Sequence, residues 1–290
     1  PARAGGGRHR SGAGAMTLEL EPEIAKELGA DPFAALMQMP GEVYRATGGR
    51  QTLRVEIAGQ VYFLKRHHGV GWREIVKNLL QLRLPVLGAA TEVHAIRRLE
   101  QLGVPTMHCA GWGQRGWNPA RRQSFALTRA LDDTVSLEDF CADWGRTPGD
   151  AARLRLKRAL VRQLATTART LHEHGVNHRD FYLCHFLLQR GSPGLTEPGG
   201  RLDLHLIDLH RVQQRRRTPA RWRVKDIAGL YFSALDAGLT RTDCLRFMRL
   251  YSGEPLRAAL DRAFWRKVSA QAVFLYRKAH HRSPHLPAPP

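Results

Sequence analysis

Four residues of the chain have side-chain chemistry that could act together: Lys65, Glu92, Asp180 and Asp208. Transfer of a phosphoryl group from a nucleoside triphosphate needs these types. A cation neutralises the phosphates and an acid holds that cation in place. One carboxylate orients the attacking hydroxyl and accepts its proton, and another holds a hard divalent metal. Little covalent work falls to the protein, so positioning and charge stabilisation dominate. Each residue also has an ordinary explanation. A lysine ending a strand is usually solvated, a glutamate opening a helix suits the helix dipole anyway, and an aspartate after an apolar run is a common turn residue. His178-Arg179-Asp180, in HEHGVNHRDFYLCHFLLQR (172–190), is by itself a chance triplet. The argument rests on the order of all four groups and on the element that carries each.

Those elements are legible as patterns. In TLRVEI (52–57), Leu53, Val55 and Ile57 alternate with polar residues, and VYFLK (61–65) follows the tight turn Ala58-Gly59-Gln60. With VYRA (43–46), they predict three short antiparallel strands, the first turn carrying Gly48-Gly49. The alternation puts Lys65 on one face with Val61 and Phe63. TEVHAIRRLEQL (91–102) predicts a helix, with Val93, Ile96, Leu99 and Leu102 on one face, Thr91 able to cap it and Gly103 able to end it. SFALT (124–128) reads as a strand, and Ser136 with Asp139 as a helix-start cap. A long helix is predicted over about 150–174, closed by Gly175. LDLHLIDLH (202–210) reads as a buried strand, and WRVKDIAGLYFSALDAGL (222–239) as helix. This order predicts an α+β, two-lobed fold, with a small antiparallel β-rich N-lobe, a larger mainly helical C-lobe and a cleft between them; taken with the four groups above, the expected fold is protein-kinase-like. The expected division is a disordered N-terminal extension (1–20), an N-lobe (21–130), a helical C-lobe with the catalytic loop (131–280) and a disordered tail (281–290).

The bulk numbers narrow the class. The chain has 290 residues, 43% hydrophobic, with 45 Lys+Arg against 26 Asp+Glu and a formal charge of +19. So basic a chain seeks anions: nucleic acid, phospholipid head groups or phosphorylated glycolipid. Cys109, Cys141, Cys184 and Cys244 form no CxxC pair, which argues against a zinc cluster or a disulfide framework and predicts reduced thiols in a cytoplasmic protein. No apolar run reaches the roughly 18–20 residues that cross a bilayer. The Gly/Ala/Arg-rich start lacks the apolar core of a secretory signal.

Longer blocks carry a resemblance. GEVYR (41–45), YFLKRHHGVGWREIVKNLLQLRLPVLGA (62–89), AIRRLEQLGVPTM (95–107), GVNHRDFYLCHFLL (175–188), LIDLHR (206–211) and RWRVKDIAGLYFSALDAGLTRTD (221–243) resemble the lipopolysaccharide core heptose(I) kinase family, within the protein-kinase-like superfamily. The resemblance runs from about Gly41 to Arg277. It implies an enzyme, a phosphotransferase with an alcohol group as acceptor, dependent on ATP and Mg2+. It implies phosphorylation of a heptose hydroxyl, O4 of the first heptose, on the lipid A–core glycolipid. It places the protein in the cytoplasm, peripheral on the anionic inner face of the inner membrane. The catalytic residue maps onto Asp180, the metal residue onto Asp208, and the ATP lysine with its partner onto Lys65 and Glu92. LTRALDD (127–133) falls where the adenine-contacting hinge should be, which adds Leu127 and Arg129.

The chain departs from the general kinase pattern in three places. His185 stands where asparagine is usual, and an imidazole is a poorer Mg2+ ligand than an amide oxygen. The sequence leaves His185 either beside a metal-bound water or phosphate, hence its place in the metal set, or bonded to backbone. His210 stands where an Asp-Phe-Gly motif has glycine, so no flexible activation segment and no phosphorylation control are expected. The glycine-rich loop reduces to Gly48-Gly49, with Gly41 upstream. Asp226 matches the helix aspartate that braces a kinase catalytic loop, or is an exposed helix acid near Lys225 and Arg223.

The insertion at 66–90 mixes Trp72, Ile75, Val76, Leu79 and Leu80 with Arg66, Arg73, Lys77 and Arg83. It predicts a basic amphipathic element that meets membrane or substrate, or an extra helix packed on the small lobe. QQRRRTPARWRVK (213–225) would face an anionic glycolipid, and the same field attracts an acidic protein partner. Two rivals remain at this level: a kinase-like enzyme with another sugar or a protein acceptor, and a basic nucleic-acid-binding protein. No nucleic acid is expected, because that rival leaves Lys65, Glu92, Asp180 and Asp208 unexplained.

Overall fold

The computed structural model describes residues 16–47, 49–69, 71–72, 88–118, 120–146, 149–255 and 262–286. The chain separates into two compact units, Pro1–Arg98 with Met107–Leu131, and Leu99–Thr106 with Asp132–Pro290.

The first unit is built on a six-stranded antiparallel sheet in the order β1-β5-β6-β4-β3-β2. Its strands are β1 (Met16–Leu20), β2 (Glu42–Thr47), β3 (Arg50–Ile57), β4 (Gln60–His67), β5 (Cys109–Arg115) and β6 (Gln123–Arg129). The alternation in β3 and β4 divides the two faces. Leu53, Val55, Ile57, Tyr62 and Leu64 point to one side, into a core closed by Ile24, Phe33 and Leu36. Those last three come from α1 (Pro22–Leu28) and α2 (Pro32–Gln38), each opened by a proline in its first turn. Gly113 in β5 is required by this packing, since a Cβ there would lie 2.6 Å from the Phe125 ring. The opposite face carries Ala126 and Trp112, covered by Val93 of α3 (Ala90–Gln101). Lys65 lies on that second face.

Two expectations change here. Residues 16–20 were assigned to a disordered extension, but Met16–Leu20 pair with Gly111–Arg115 as an edge strand. Arg66, expected in a basic insertion that either meets membrane or substrate or packs as an extra helix on the small lobe, is instead the seventh residue of β4, only 6% exposed, and its guanidinium donates to the Met39 carbonyl. Most of the 66–90 insertion, 73–87 included, lies outside the described residues.

The second unit is mainly helical. Its longest early helix, α5 (Ala151–Glu173), follows the short β7 (Thr134–Ser136) and α4 (Leu137–Phe140). Asp150 caps α5, accepting the Arg153 N–H at 2.7 Å, and Leu160, Leu164, Ala168 and Leu171 form its buried stripe. Ser136 caps α4 as its spacing predicts, accepting the Asp139 N–H at 3.1 Å. Gly175 ends the long helix at φ +75° with no room for a side chain, because a Cβ would meet the Arg215 carbonyl at 1.8 Å. After it come β8 (Val176–Asn177), β9 (Phe186–Gln189), α6 (Pro193–Thr196), β10 (Leu204–Leu206) and β11 (Gln213–Gln214). β10, β9 and β7 form one small sheet, and β11 pairs with β8. The helices α7 (Ala220–Ala234), α8 (Arg241–Ser252) and α9 (Arg262–His280) complete the unit.

The strand expected over 202–210 is shorter than its pattern. Regular pairing covers Leu204–Leu206 and stops because Asp208 adopts φ +61°, in the left-handed region. That turn leads into a 3-10 segment, Leu209–Arg211.

Candidate active site

In the sheet unit the two residues expected to act together, Lys65 and Glu92, form an ion pair. Lys65 Nζ lies 2.5 Å from Glu92 Oε1, with the lysine side chain 22% exposed and the carboxylate 3% exposed. The sequence accounts for the contact. Lys65 has small neighbours, Thr52 and Ala126, in the flanking strands, and Glu92 stands in the first turn of α3. The ammonium therefore has one side against a buried acid and another open to an anion.

The remaining residues expected in this unit fall unevenly. Gly49 is tightly placed: its carbonyl accepts the His68 N–H at 2.8 Å, and a Cβ would lie 2.5 Å from the Gly69 carbonyl. Gly48 lies outside the described residues. The Leu127 side chain is fully buried in the sheet core, and Arg129 extends outward with Nη2 3.5 Å from Glu21 Oε2.

In the helical unit the loop after α5 is held from below. Asp226 of α7, 1% exposed, accepts the backbone N–H of His178 at 2.7 Å on one oxygen and that of Arg179 at 2.8 Å on the other. His172 Nε2 lies 3.3 Å from the same carboxylate. Of its two readings, Asp226 is therefore the brace. Arg179 adopts φ +78°, a conformation those two hydrogen bonds sustain. His178 is buried, and its Nε2–H donates to the Ile207 carbonyl at 3.0 Å. Burial pushes its pKa down, which keeps the ring neutral.

Asp180 follows this anchored pair. Its Oδ1 accepts from Arg211 Nη1 at 2.8 Å, and its own carbonyl accepts from His185 Nδ1 at 2.7 Å. A carbonyl can only accept, so Nδ1 carries the proton, and Nε2 of the same ring lies 3.5 Å from Asp208 Oδ2. His210 Nδ1 contacts the other Asp208 oxygen. His185 is thus bonded to backbone through one nitrogen and turned toward Asp208 through the other. Asp180, His185 and Asp208 form one group, as Lys65 and Glu92 form another. The sequence did not single out Arg211 as the partner of Asp180, although it ends the LIDLHR block.

The donor chemistry can be tested against magnesium. Among the described residues no group of three or more His, Cys, Asp or Glu side chains could hold a metal. Mg2+ is commonly held by one or two carboxylates with the substrate phosphates and water completing its shell. Asp208, with His185 beside it, fits that requirement.

The family model described as "Lipopolysaccharide kinase (Kdo/WaaP) family" matches residues 34–251. The chain is 49% identical over 241 residues to the lipopolysaccharide core heptose(I) kinase WaaP of Escherichia coli, covering 83% of this chain and 89% of the relative. It is 53% identical over 247 residues to the protein of that name from Pseudomonas aeruginosa, covering 84% and 90%. Among solved structures, "WaaP in complex with acyl carrier protein" superposes with a TM-score of 0.75 at 45% identity, over 89% of this chain and 99% of that one. With a family match across most of its length and relatives this similar, the chain belongs to the lipopolysaccharide kinase (Kdo/WaaP) family.

Proposed function

We propose that this protein transfers the γ-phosphoryl group of ATP to a heptose hydroxyl, O4 of the first heptose, of the lipopolysaccharide inner core. The observation that carries this reading is the braced loop. Asp226 fixes the backbone at His178 and Arg179, so Asp180 is presented from a rigid turn, as a general base must be.

Each group then has a role. Asp180 orients the acceptor hydroxyl and takes its proton as the new O–P bond forms and the bond to the β,γ-bridging oxygen breaks, leaving ADP. Arg211 aims the Asp180 carboxylate. Lys65, held by Glu92, neutralises the α- and β-phosphates. Gly49 allows backbone to approach the phosphates, and the same part is proposed for Gly48, which lies outside the described residues. Arg129 flanks the nucleotide hinge, while Leu127 supports it from the core. Asp208 would hold Mg2+, with His185 Nε2 beside it. Bound magnesium supplies charge neutralisation on the phosphate oxygens.

The partners follow from chemistry. A charge of +19 suits an anionic glycolipid acceptor and peripheral contact with the anionic inner face of the inner membrane. No helix among the described residues is long and apolar enough to cross a membrane. A similar protein has been solved with acyl carrier protein, which supports an acidic protein partner of that kind here. An apolar cavity of about 800 Å³ in the helical unit, lined by Val161, Leu164, Ile227, Leu230, Phe247 and Trp265, has the size and character to take an acyl chain. Leu164→Trp would put a bulky ring into its lining and narrow it, and should weaken binding of the acylated carrier more than of the unacylated one.

The deciding assay supplies ATP, Mg2+ and core oligosaccharide lacking heptose phosphate. Asp180→Ala should lower kcat by roughly 10²–10⁴-fold. Transfer at the wild-type rate in that variant would remove the catalytic assignment.

A further inference from the structure

The indole of Trp222, in the first turn of α7, gathers four cations. Arg179 Cζ lies 5.3 Å from its ring centroid, Arg221 Cζ 5.4 Å, Arg215 Cζ 5.6 Å and Lys225 Nζ 5.6 Å. They come from three segments: the braced loop, the arginine run after β11, and α7. No two can be further apart than the sum of their distances to that ring. Arg211, paired with Asp180, adds a fifth positive charge to the group. Burial first, and then Arg179 and Arg211, push the Lys225 pKa down, and Arg179 is depressed by burial and by Arg211 in the same way.

The carboxylates acting on Arg179 and Lys225 are Asp180 and Asp226. Asp226 is already occupied by two backbone N–H groups and His172, and Asp180 by Arg211. Among the described residues the acceptors that Arg215 finds are neutral, Asn177 Oδ1 at 2.5 Å and Gln213 Oε1 at 2.6 Å. Nε of Arg179 and Nε1 of Trp222 are buried without an acceptor among the described residues. Crowding like charges around buried, unused donors costs stability. The arginine run is nevertheless fixed in place, because the Arg215 N–H donates to the Gly175 carbonyl at 2.9 Å.

We propose that the cations around Trp222 form the subsite for an anionic substituent of the acceptor, a carboxylate or phosphate borne on the sugars beside the hydroxyl that Asp180 deprotonates. This rests on the kinase reading above. Guanidinium forks match the planar oxygens of either group. Arg211, which touches Asp180, sets the spacing between that anion and the reacting oxygen. An acceptor without the negative group loses both the attraction and its register against Asp180.

The test uses the full chain, wild type and Arg221→Gln/Lys225→Gln, with Arg221→Lys as the charge-retaining control. Three acceptors are compared: deacylated core oligosaccharide, the same with its carboxylates reduced to alcohols, and the same after phosphatase treatment. Kinetics give KM and kcat, and calorimetry gives oligosaccharide binding without ATP. The double variant should raise the acceptor KM and Kd by roughly ten- to hundred-fold, with the KM for ATP moving less than about two-fold. Arg221→Lys should retain most of the affinity. Wild type should lose the same factor on whichever neutralised acceptor lacks the recognised group, to which the double variant is indifferent. The proposal is overturned if both proteins discriminate the acceptors equally, if the ATP KM rises instead, or if only carrier-protein binding is lost. Calorimetry reads the subsite even if no acceptor is phosphorylated, so failure of the kinase reading and failure of the subsite are separate results. Equal melting temperatures for variant and wild type establish that folding is not what changed.

Discussion

The buried carboxylate of Asp226 accepts the backbone N–H of His178 at 2.7 Å, tying a helix to a loop 48 residues away. Its second oxygen takes the next N–H, of Arg179. Asp226→Asn keeps the shape but turns an N–H donor toward one of two buried donors. We expect a loss of about 2–4 kcal/mol, read as a lower urea midpoint at unchanged slope. kcat should fall by roughly a hundred-fold as Asp180 loses its support. Unchanged stability and turnover would show that the loop is held elsewhere.

Lys65 and Glu92 make a second separable prediction. Glu92 is almost fully buried, so Lys65→Met strands a carboxylate away from water. Stability should drop by about 2–3 kcal/mol, and Lys65→Met/Glu92→Gln should recover most of it. Activity should not return in the double variant, because the ammonium proposed to neutralise the phosphates is still missing. Thermal denaturation and ATP KM measured side by side check this. Recovery of both together would mean that Lys65 serves the fold alone.

Much of this was legible in the sequence, and the rest was hidden for identifiable reasons. Leu53, Val55 and Ile57 alternate strictly and are all buried, so period-two reading located β3. The stripe at Leu160, Leu164, Ala168 and Leu171 located α5 just as directly. The strand β5, CAGWGQR, was not singled out, because its two glycines look like loop residues. They are there because Leu20, Phe33 and Phe125 occupy the space a Cβ would need. The helices α1 and α2 were also missed, although Pro22 and Pro32 at helix starts were available signals. Residue types and order marked Lys65 with Glu92 and Asp180 with Asp208, and each pair stands together within its own unit, the second through His185. Arg215, Arg221 and Lys225 lie in the 213–225 run that the sequence marks for an anionic acceptor, whereas the addition of Arg179 and Arg211 to them depends on the turns at Arg179 and Asp208. No local pattern encodes that addition.

His185 can be tested by separating its two nitrogens. Nδ1 donates to the Asp180 carbonyl, and Nε2 faces Asp208. An asparagine offers the same pair of functions, an N–H donor and an oxygen acceptor. His185→Asn should therefore keep kcat within about ten-fold, while His185→Leu, which removes both, should cost roughly a hundred-fold or more. Turnover across a magnesium titration checks the assignment. A leucine variant as active as wild type would leave the histidine with no part in the reaction.

The proposed membrane contact has a structural handle in the sheet unit. Trp117, 78% exposed, follows β5, and Trp72, 58% exposed, follows β4. The two segments are joined, since the Gly71 N–H donates to the Ala120 carbonyl at 3.0 Å. The exposed Arg121 stands on the same turn. Tryptophan favours the head-group region, and each nearby arginine adds attraction to an anionic leaflet. Vesicles of neutral lipid with a third anionic phospholipid should bind the protein and blue-shift its tryptophan emission. Trp72→Ser/Trp117→Ser should weaken that binding by roughly ten-fold or more, and Arg121→Gln should reduce its dependence on anionic lipid and on salt. Soluble oligosaccharide should still be phosphorylated normally by the tryptophan variant, since the change touches membrane residence and not the reacting groups. Vesicle binding that survives the double substitution would move the membrane contact away from this pair of segments.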